Sequence, residues 1–219
     1  MDKILILSLE TSSNICSVAI SEGENCLLEY AIHTQNSHDQ FLAVLVKRAL
    51  QDVQIETEAI SHVAVSSGPG SFTGLRIGAA FAKGFCFDNK VKLVPVPTLT
   101  AMALVASDLV SRYESRLICI LHSHRNFFFY QFFDMSLNPL SLVAFDSEDK
   151  IQDLIQDTDI VIGTGIELID RGIKFKIPNI VSASNIARLG YKLILENKTI
   201  PAEDFTPSYF LEFQPKTTK

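Results

Sequence analysis

Val63–Gly84 reads VAVSSGPGSFTGLRIGAAFAKG, and the fold turns on how this stretch is parsed. Val63, Ala64 and Val65 form a short β-prone run. Ser66–Gly70 is a turn cluster, and from Ser71 or Phe72 onward the residues favour helix. The parse is therefore strand, glycine loop, helix. Five of the ten glycines lie between Gly68 and Gly84, so each invites a backbone reason. Gly68 and Gly70 flank Pro69 and allow a sharp turn with positive φ. Ser71 or Thr73 can cap the first free N–H groups of the helix, and a helix start of this kind suits an anion or a polar partner. Gly74, Gly78 and Ala82 recur at i, i+4 and i+8. They make a smooth stripe where another backbone can come close, and a tight turn plus close helix packing is a sufficient physical role for the whole stretch. Phe81 and Phe85 lie on a neighbouring stripe.

The loop is not a Walker phosphate loop, because no Lys-Ser/Thr follows its last glycine. It is not a dinucleotide fingerprint either: after Gly68 and Gly70 the third glycine would have to replace Thr73, and it comes at Gly74. Ser66, Ser67, Ser71 and Thr73 lack a GxSxG elbow, which argues against serine hydrolysis.

The chain has 219 residues, 47% of them hydrophobic and 20% charged, enough for one large domain or two small ones with a real core. No run of about 18 apolar residues is present, so no membrane span is expected. The start, MDKILILSLE, is too short and too early charged for a signal peptide and reads as a first strand. These features place the protein in the cytoplasm. Cys16, Cys26, Cys86 and Cys119 are scattered without a CxxC pair and are expected to be free thiols. A net charge of −6 argues against a chain that grips nucleic acid alone, so a partner would hold any RNA.

Outward from the glycine stretch, Ile4–Leu9, Cys16–Ile20 and Cys26–Ile32 read as a three-stranded meander with tight turns. Ser37–Val53 reads as a helix whose apolar face is Leu42, Leu45, Ala49 and Val53, widened by Phe41 and Val44. Lys92–Val96 is a strand, and Pro97–Ser111 a helix. The second half repeats the order. Arg116–Leu121, Phe127–Phe133 and Ser141–Phe145 are strands, then a helix runs from Asp146 or Ser147 to about Gln156. Ile160–Gly163 is a strand, and Ser184–Leu195 a helix with Ile186, Leu189, Tyr191 and Ile194 on its apolar side. Gly163 and Gly165 follow a strand as Gly68 and Gly70 do. The order βββαβα, met twice, predicts a duplicated α/β fold of two lobes, 1–111 and 112–219, with mixed sheets covered by helices. From Pro201 the chain carries an extended TPSYFLEF segment.

LSLETSSNICSVAI at Leu7–Ile20, SHDQFL at Ser37–Leu42, SSGPGSFTGLRIGAAFAKG at Ser66–Gly84 and VPVPTLTAMA at Val94–Ala103 lie in order, and together they resemble the TsaB (YeaZ) family. The resemblance covers the first half well and the second weakly. It implies the actin-like, Hsp70-like group of folds and a subunit of the system that makes N6-threonylcarbamoyladenosine in tRNA. In that group the turn after the first strand faces phosphate. Here it is Glu10, Thr11, Ser12, Ser13 and Asn14, joined by the loop Gly68, Pro69, Gly70 and Ser71.

The family is similar to TsaD, the catalytic subunit, whose His-x-x-x-His metal pair would fall on Thr98 and Met102. A Thr and a Met make a poor pair for a hard metal, so no catalytic residue, metal or cofactor is expected. Two segments depart from the family pattern. His122 and Phe127 replace an Asp and a Glu early in the second lobe, and Tyr209-Phe210-Leu211-Glu212 replaces Tyr-Leu-Arg near the C-terminus. His122 and His124, at i and i+2, read as exposed strand-end histidines rather than half a metal site.

The implied role is a noncatalytic subunit that binds and activates a TsaD-like transferase. It would meet a TsaE-like ATPase and tRNA only through the complex, and would form a homodimer when alone. The expected route is pairing of the helices Ser37–Val53 and Ser71–Phe85 in a four-helix bundle, through His38, Phe41, Leu42, Leu45, Phe72, Gly74, Leu75, Arg76, Gly78, Ala82 and Lys83. On this reading a bulky residue at Gly78 or Ala82 breaks partner binding and leaves the fold intact. The alternative is an ATP-binding small kinase or ATPase of the same fold, using Glu10–Ser13 and Gly68–Gly70 around phosphate.

Overall fold

The computed structural model describes residues 3–33, 37–87, 91–110, 115–169, 175–178 and 181–210. β1 (Leu5–Glu10), β2 (Ile15–Glu22) and β3 (Asn25–His33) form the antiparallel meander. β4 (His62–Gly68) then pairs parallel with β1, and β5 (Lys92–Pro97) parallel with β4. Parallel neighbours need crossovers. α1 (His38–Asp52) and α2 (Phe72–Cys86) supply them. The sheet order is β3-β2-β1-β4-β5.

The second sheet repeats this arrangement strand for strand. β6 (Leu117–His124), β7 (Phe127–Phe133) and β8 (Ala144–Ser147) are antiparallel, while β9 (Ile160–Gly163) lies parallel to β6 and β10 (Phe175–Pro178) parallel to β9. α4 (Glu148–Leu154) is the crossover from β8 to β9. Read from β8, the order β8-β7-β6-β9-β10 matches the first sheet. The fold is thus the duplicated α/β architecture with two mixed sheets. Two strands correct the sequence reading. The third strand of the second lobe starts at Ala144, not Ser141, because Ser141 is engaged beside β7: its Oγ accepts from Phe132 N at 3.1 Å. β10 is four residues long, too short to carry a periodic signal.

Alternation along β1 sorts the core into layers. Leu7 and Leu9, with Val63 and Val65 of β4, pack on Leu42, Leu45 and Ala49 of α1 and Ala79 and Ala82 of α2. Ile6, Ala64, Val94 and Val96 face the other way, onto α3 (Thr98–Val110) and α5 (Ala183–Leu195). The same core takes in Leu117, Cys119, Ile160 and Ile162 of the second sheet, so α3 lies between the two sheets. The far face of the second sheet, with Ile118, Ile120 and Val161, packs on Ile151 and Ile155.

The expected division at 1–111 and 112–219 is corrected by α5. Its first turn is tied to the first sheet: Ala183 N donates to Ser17 Oγ at 2.9 Å and Ser184 N to Glu29 Oε1 at 2.8 Å. Gly190 lets it lie close, since a Cβ there would sit 2.8 Å from Ala64 Cβ. Beyond it, Ile200 bridges to Leu93 and Phe205 is buried in the first lobe's core. The physical reason is the apolar back of the first sheet, which α3 shares with the second sheet and which α5 completes. Cys16, Cys86 and Cys119 are buried, Cys26 is exposed, and all four are free thiols. Among the described residues no helix is long and apolar enough to cross a membrane.

Candidate functional site

Two loops foreseen as phosphate-facing meet at the end of β1. Glu10 is fully buried; its Oε1 accepts from the Ser12 N–H at 2.6 Å and from the Ser12 hydroxyl, while Oε2 has no partner. Burial pushes its carboxyl from the usual 4.5 to about 7, against the opposing pull of the Ser12 hydrogen bonds. His38, from the start of α1, places Nε2 3.0 Å from Ser13 O and 3.2 Å from Ile15 O. Carbonyls only accept, so Nε2 carries the proton and the ring pins this turn.

The glycine loop closes on the same turn. Ser71 N donates to Ser12 O at 2.7 Å, and Ser71 Oγ accepts from Gly74 N at 3.2 Å, the helix cap expected from the sequence. A Cβ on Gly70 would sit 2.5 Å from Ser12 O, one on Gly74 1.9 Å from Thr11 O, and one on Gly78 2.4 Å from Thr11 Oγ1. Gly68, at φ +105°, has a separate task. A Cβ there would lie 2.7 Å from Ser208 O, and Ser208 N donates to Ser67 O at 2.8 Å. The glycines thus let α2 lie on the β1–β2 turn and let the segment at Ser208 cross the loop.

This corrects the role expected for the small stripe. Gly74, Gly78 and Ala82 face the chain's own first strand and turn, and no second subunit can reach them. Of the expected interface set, His38, Leu42, Leu45, Gly74, Leu75, Gly78 and Ala82 are all buried inside the first lobe. The cause is the width of the apolar stripe. Its centre is consumed by the sheet, so only its margins remain outside. At those margins Val44 is 61% exposed and Phe87 74%, with Phe41, Ile77, Phe81 and Phe85 half-buried and Ala80 exposed. Phe81 and Phe85 stack at 6.3 Å beside a groove that α1 lines with Val46, Lys47 and Leu50. Arg76 sits 3.9 Å over the Phe72 ring, and Lys83 Nζ donates to Glu203 O at 3.1 Å.

A cavity of about 450 Å³ opens between the lobes. Ser12, Ser13 and Ser71 form one wall, and His122, Thr164 and Gly165 the other. Thr164 Oγ1 accepts from His122 N at 2.9 Å, and Gly165, at φ +74°, brings the β9 loop against the His122 ring. Tyr209 and Phe210 also line it. The sequence reading noted the Gly163/Gly165 pair, the altered His122 segment and the TPSYFLEF tail, but nothing in spacing joined them; the sheet duplication and the returning tail do. Thr98 and Met102 are both fully buried in the core between the sheets. Among the described residues no three His, Cys, Asp or Glu side chains are placed to hold a metal.

Glu10 makes the fold pH-sensitive in a defined direction. Its folded value, about 7, lies above the usual 4.5, so the folded chain keeps a proton that the unfolded chain has released. The stabilisation is complete below the unfolded value and is lost as pH rises through about 7, on the order of 3 kcal/mol in all. Urea unfolding at about pH 5 and about pH 8 checks this. Glu10→Gln is expected to flatten the difference between the two; an unchanged difference assigns the slope to another group.

Residues 31–208 match the family described as TsaD, tRNA N6-adenosine threonylcarbamoyltransferase. A protein of Haemophilus influenzae named tRNA threonylcarbamoyladenosine biosynthesis protein TsaB is 27% identical over 95% of this chain and 94% of its own length. A tRNA N6-adenosine threonylcarbamoyltransferase of Pediococcus pentosaceus is 32% identical over 42% of this chain and 31% of its own. Among solved structures, YeaZ from Pseudomonas aeruginosa superposes with a TM-score of 0.82 at 20% identity, covering 94% of this chain and all of that one. The chain therefore belongs to the tRNA N6-adenosine threonylcarbamoyltransferase family, within its TsaB/YeaZ group.

Proposed function

We propose that this chain is a noncatalytic subunit in the formation of N6-threonylcarbamoyladenosine in tRNA, and that it binds and activates a TsaD-like transferase. The observation that carries the reading is the outward margin of α1 and α2. Val44, Phe41, Ile77, Ala80, Phe81 and Phe85 form an apolar surface on two adjacent helices beside a groove. An exposed apolar patch of this kind marks a protein contact. A matching helix pair from a transferase of related fold would complete a four-helix contact. The same surface serves a homodimer when the transferase is absent, and a TsaE-like ATPase and tRNA join through the complex.

Two features support a noncatalytic role. Thr98 and Met102 stand where the resemblance puts the transferase's metal histidines, and neither reaches solvent. The glycine loop is bonded to the β1–β2 turn rather than open. Reconstitution tests the whole reading. Purified transferase, ATPase, tRNA and threonylcarbamoyl donor are expected to modify tRNA only when this chain is added. Modification at an equal rate without it rejects the reading.

A further inference from the structure

The starts of α1 and α2 are tied to one short turn, the residues between β1 and β2. His38, the first residue of α1, holds Ser13 O and Ile15 O through Nε2 at 3.0 and 3.2 Å. Ser71, the cap of α2, donates its N–H to Ser12 O at 2.7 Å, and Gly74 in the first turn of α2 lies against Thr11 O. The turn is held in its own right by Glu10, whose Oε1 accepts from Ser12 N at 2.6 Å. One carboxyl group thus organises the anchor of both helices.

That carboxyl suits its place only while it is neutral. Burying a charge costs far more than burying a neutral polar group, and Glu10 is fully buried with Oε2 unpartnered. Among the described residues no charged side chain bears on it. β2 presents Ser17 and the Cys16 thiol, which burial and Glu10 itself push up to about 11. β4 presents Ser66, α2 its glycines, and α5 its uncharged first turn, where Ala183 N donates to Ser17 Oγ at 2.9 Å. His38 donates through Nε2 whether its ring is neutral or charged, so its own titration leaves the turn held. An ionised Glu10 needs water, and a way to water lies through the turn, since Ser12, Ser13 and Asn14 line the interlobe cavity. Moving the turn that way breaks the bonds from Ser71 and His38.

We propose that Glu10 is a proton-controlled latch: protonated, it holds the β1–β2 turn and with it the starts of α1 and α2; ionised, it lets the turn open toward the cavity and frees both helix starts without unfolding the chain. The latch is complete in the single chain, so the inference does not depend on the transferase contact.

Amide hydrogen exchange on the full chain, read residue by residue, tests it. The Ser12, Ser71 and Gly74 amides are expected to exchange through an opening smaller than global unfolding. The closed turn holds its proton up to about 7, and the open turn releases it at the usual 4.5, so rising pH favours opening. Corrected for the intrinsic chemistry of exchange, the opening constant is expected to rise about tenfold between about pH 6 and about pH 8 and to level off above about 7. Glu10→Gln keeps an acceptor for Ser12 N and is expected to remove the rise. The amides of Ile186 and Leu189 in α5, buried in the core between the sheets, report global unfolding in the same spectra. Turn amides that open only as those two do overturn the inference, because Glu10 then acts through the whole fold alone. So does a turn whose opening is constant with pH, or a Glu10→Gln chain whose opening rises as the parent's does. If Glu10→Gln does not fold, the parent's profile at the turn, set against α5, decides.

Discussion

Gly74→Ala is expected to destabilise the chain by about 3 kcal/mol, the upper end of what overpacking costs in a close-packed interior. A single methyl at this position would stand 1.9 Å from Thr11 O, which is backbone and cannot swing aside. Relief requires α2 to lift off the β1–β2 turn. Lifting it would break the Ser71 N to Ser12 O hydrogen bond and loosen the packing of Ala79 and Ala82 on the sheet. Gly78→Ala meets a softer neighbour, the Thr11 hydroxyl at 2.4 Å, which can rotate, so its effect should be smaller. Gly84→Ala supplies the control on the same helix. Nothing lies within 4 Å of its Cβ position, and the exchange should stabilise by about 0.5–1 kcal/mol through backbone entropy and helix propensity. Urea unfolding of the three variants checks the ranking. A Gly74→Ala chain as stable as the parent would mean that the stripe does not press on Thr11.

Val44→Asp and Ala80→Glu together are expected to weaken binding to the TsaD-like transferase about 100-fold, with an unchanged melting temperature. Both side chains are exposed, so the free chain loses no packing. In the complex each carboxylate would be buried against an apolar helix face without a partner, and desolvating unpaired charges of that kind readily costs about 3 kcal/mol. The measurement is calorimetric titration of the transferase, with sedimentation of the chain alone as a companion. If the homodimer uses the same margin, the double variant should sediment as a monomer at concentrations where the parent dimerises. Full-strength binding by the double variant places the contact elsewhere. The pair replaces the Gly78 and Ala82 changes that the sequence suggested, since those residues lie inside the fold.

The loop chemistry and the docking surface were legible to different depths. Among the described residues, hydrophobic period and glycine placement identified the five α-helices and every strand but the short β10. Those signals are local, because a helix or strand writes its burial into its own residues. The element order βββαβα, met twice, carried the duplication without visible sequence identity. The side of α2 that is used could not be read in this way. A stripe of Gly74, Gly78 and Ala82 looks the same whether the approaching backbone belongs to this chain or to another. Only the position of Thr11 decides between them. Val44 and Phe41 looked like an extension of a buried face, and the sheet proved too narrow to cover them.

The sequence alone determined the family, the strand–loop–helix around Gly68–Gly84 and the repeated α/β plan, because each rests on residues close together in the chain. Tertiary structure alone decided three further points. It returned α5 and the tail to the first sheet, whose second face needed cover. It turned the glycine stripe inward, onto the backbone after β1. And it brought Tyr209 and Phe210 to a cavity that His122 and Thr164 also line. Each of these is a contact between segments far apart in sequence. Such contacts are fixed by which apolar faces are left to bury once the local elements have formed, and no local pattern records that choice.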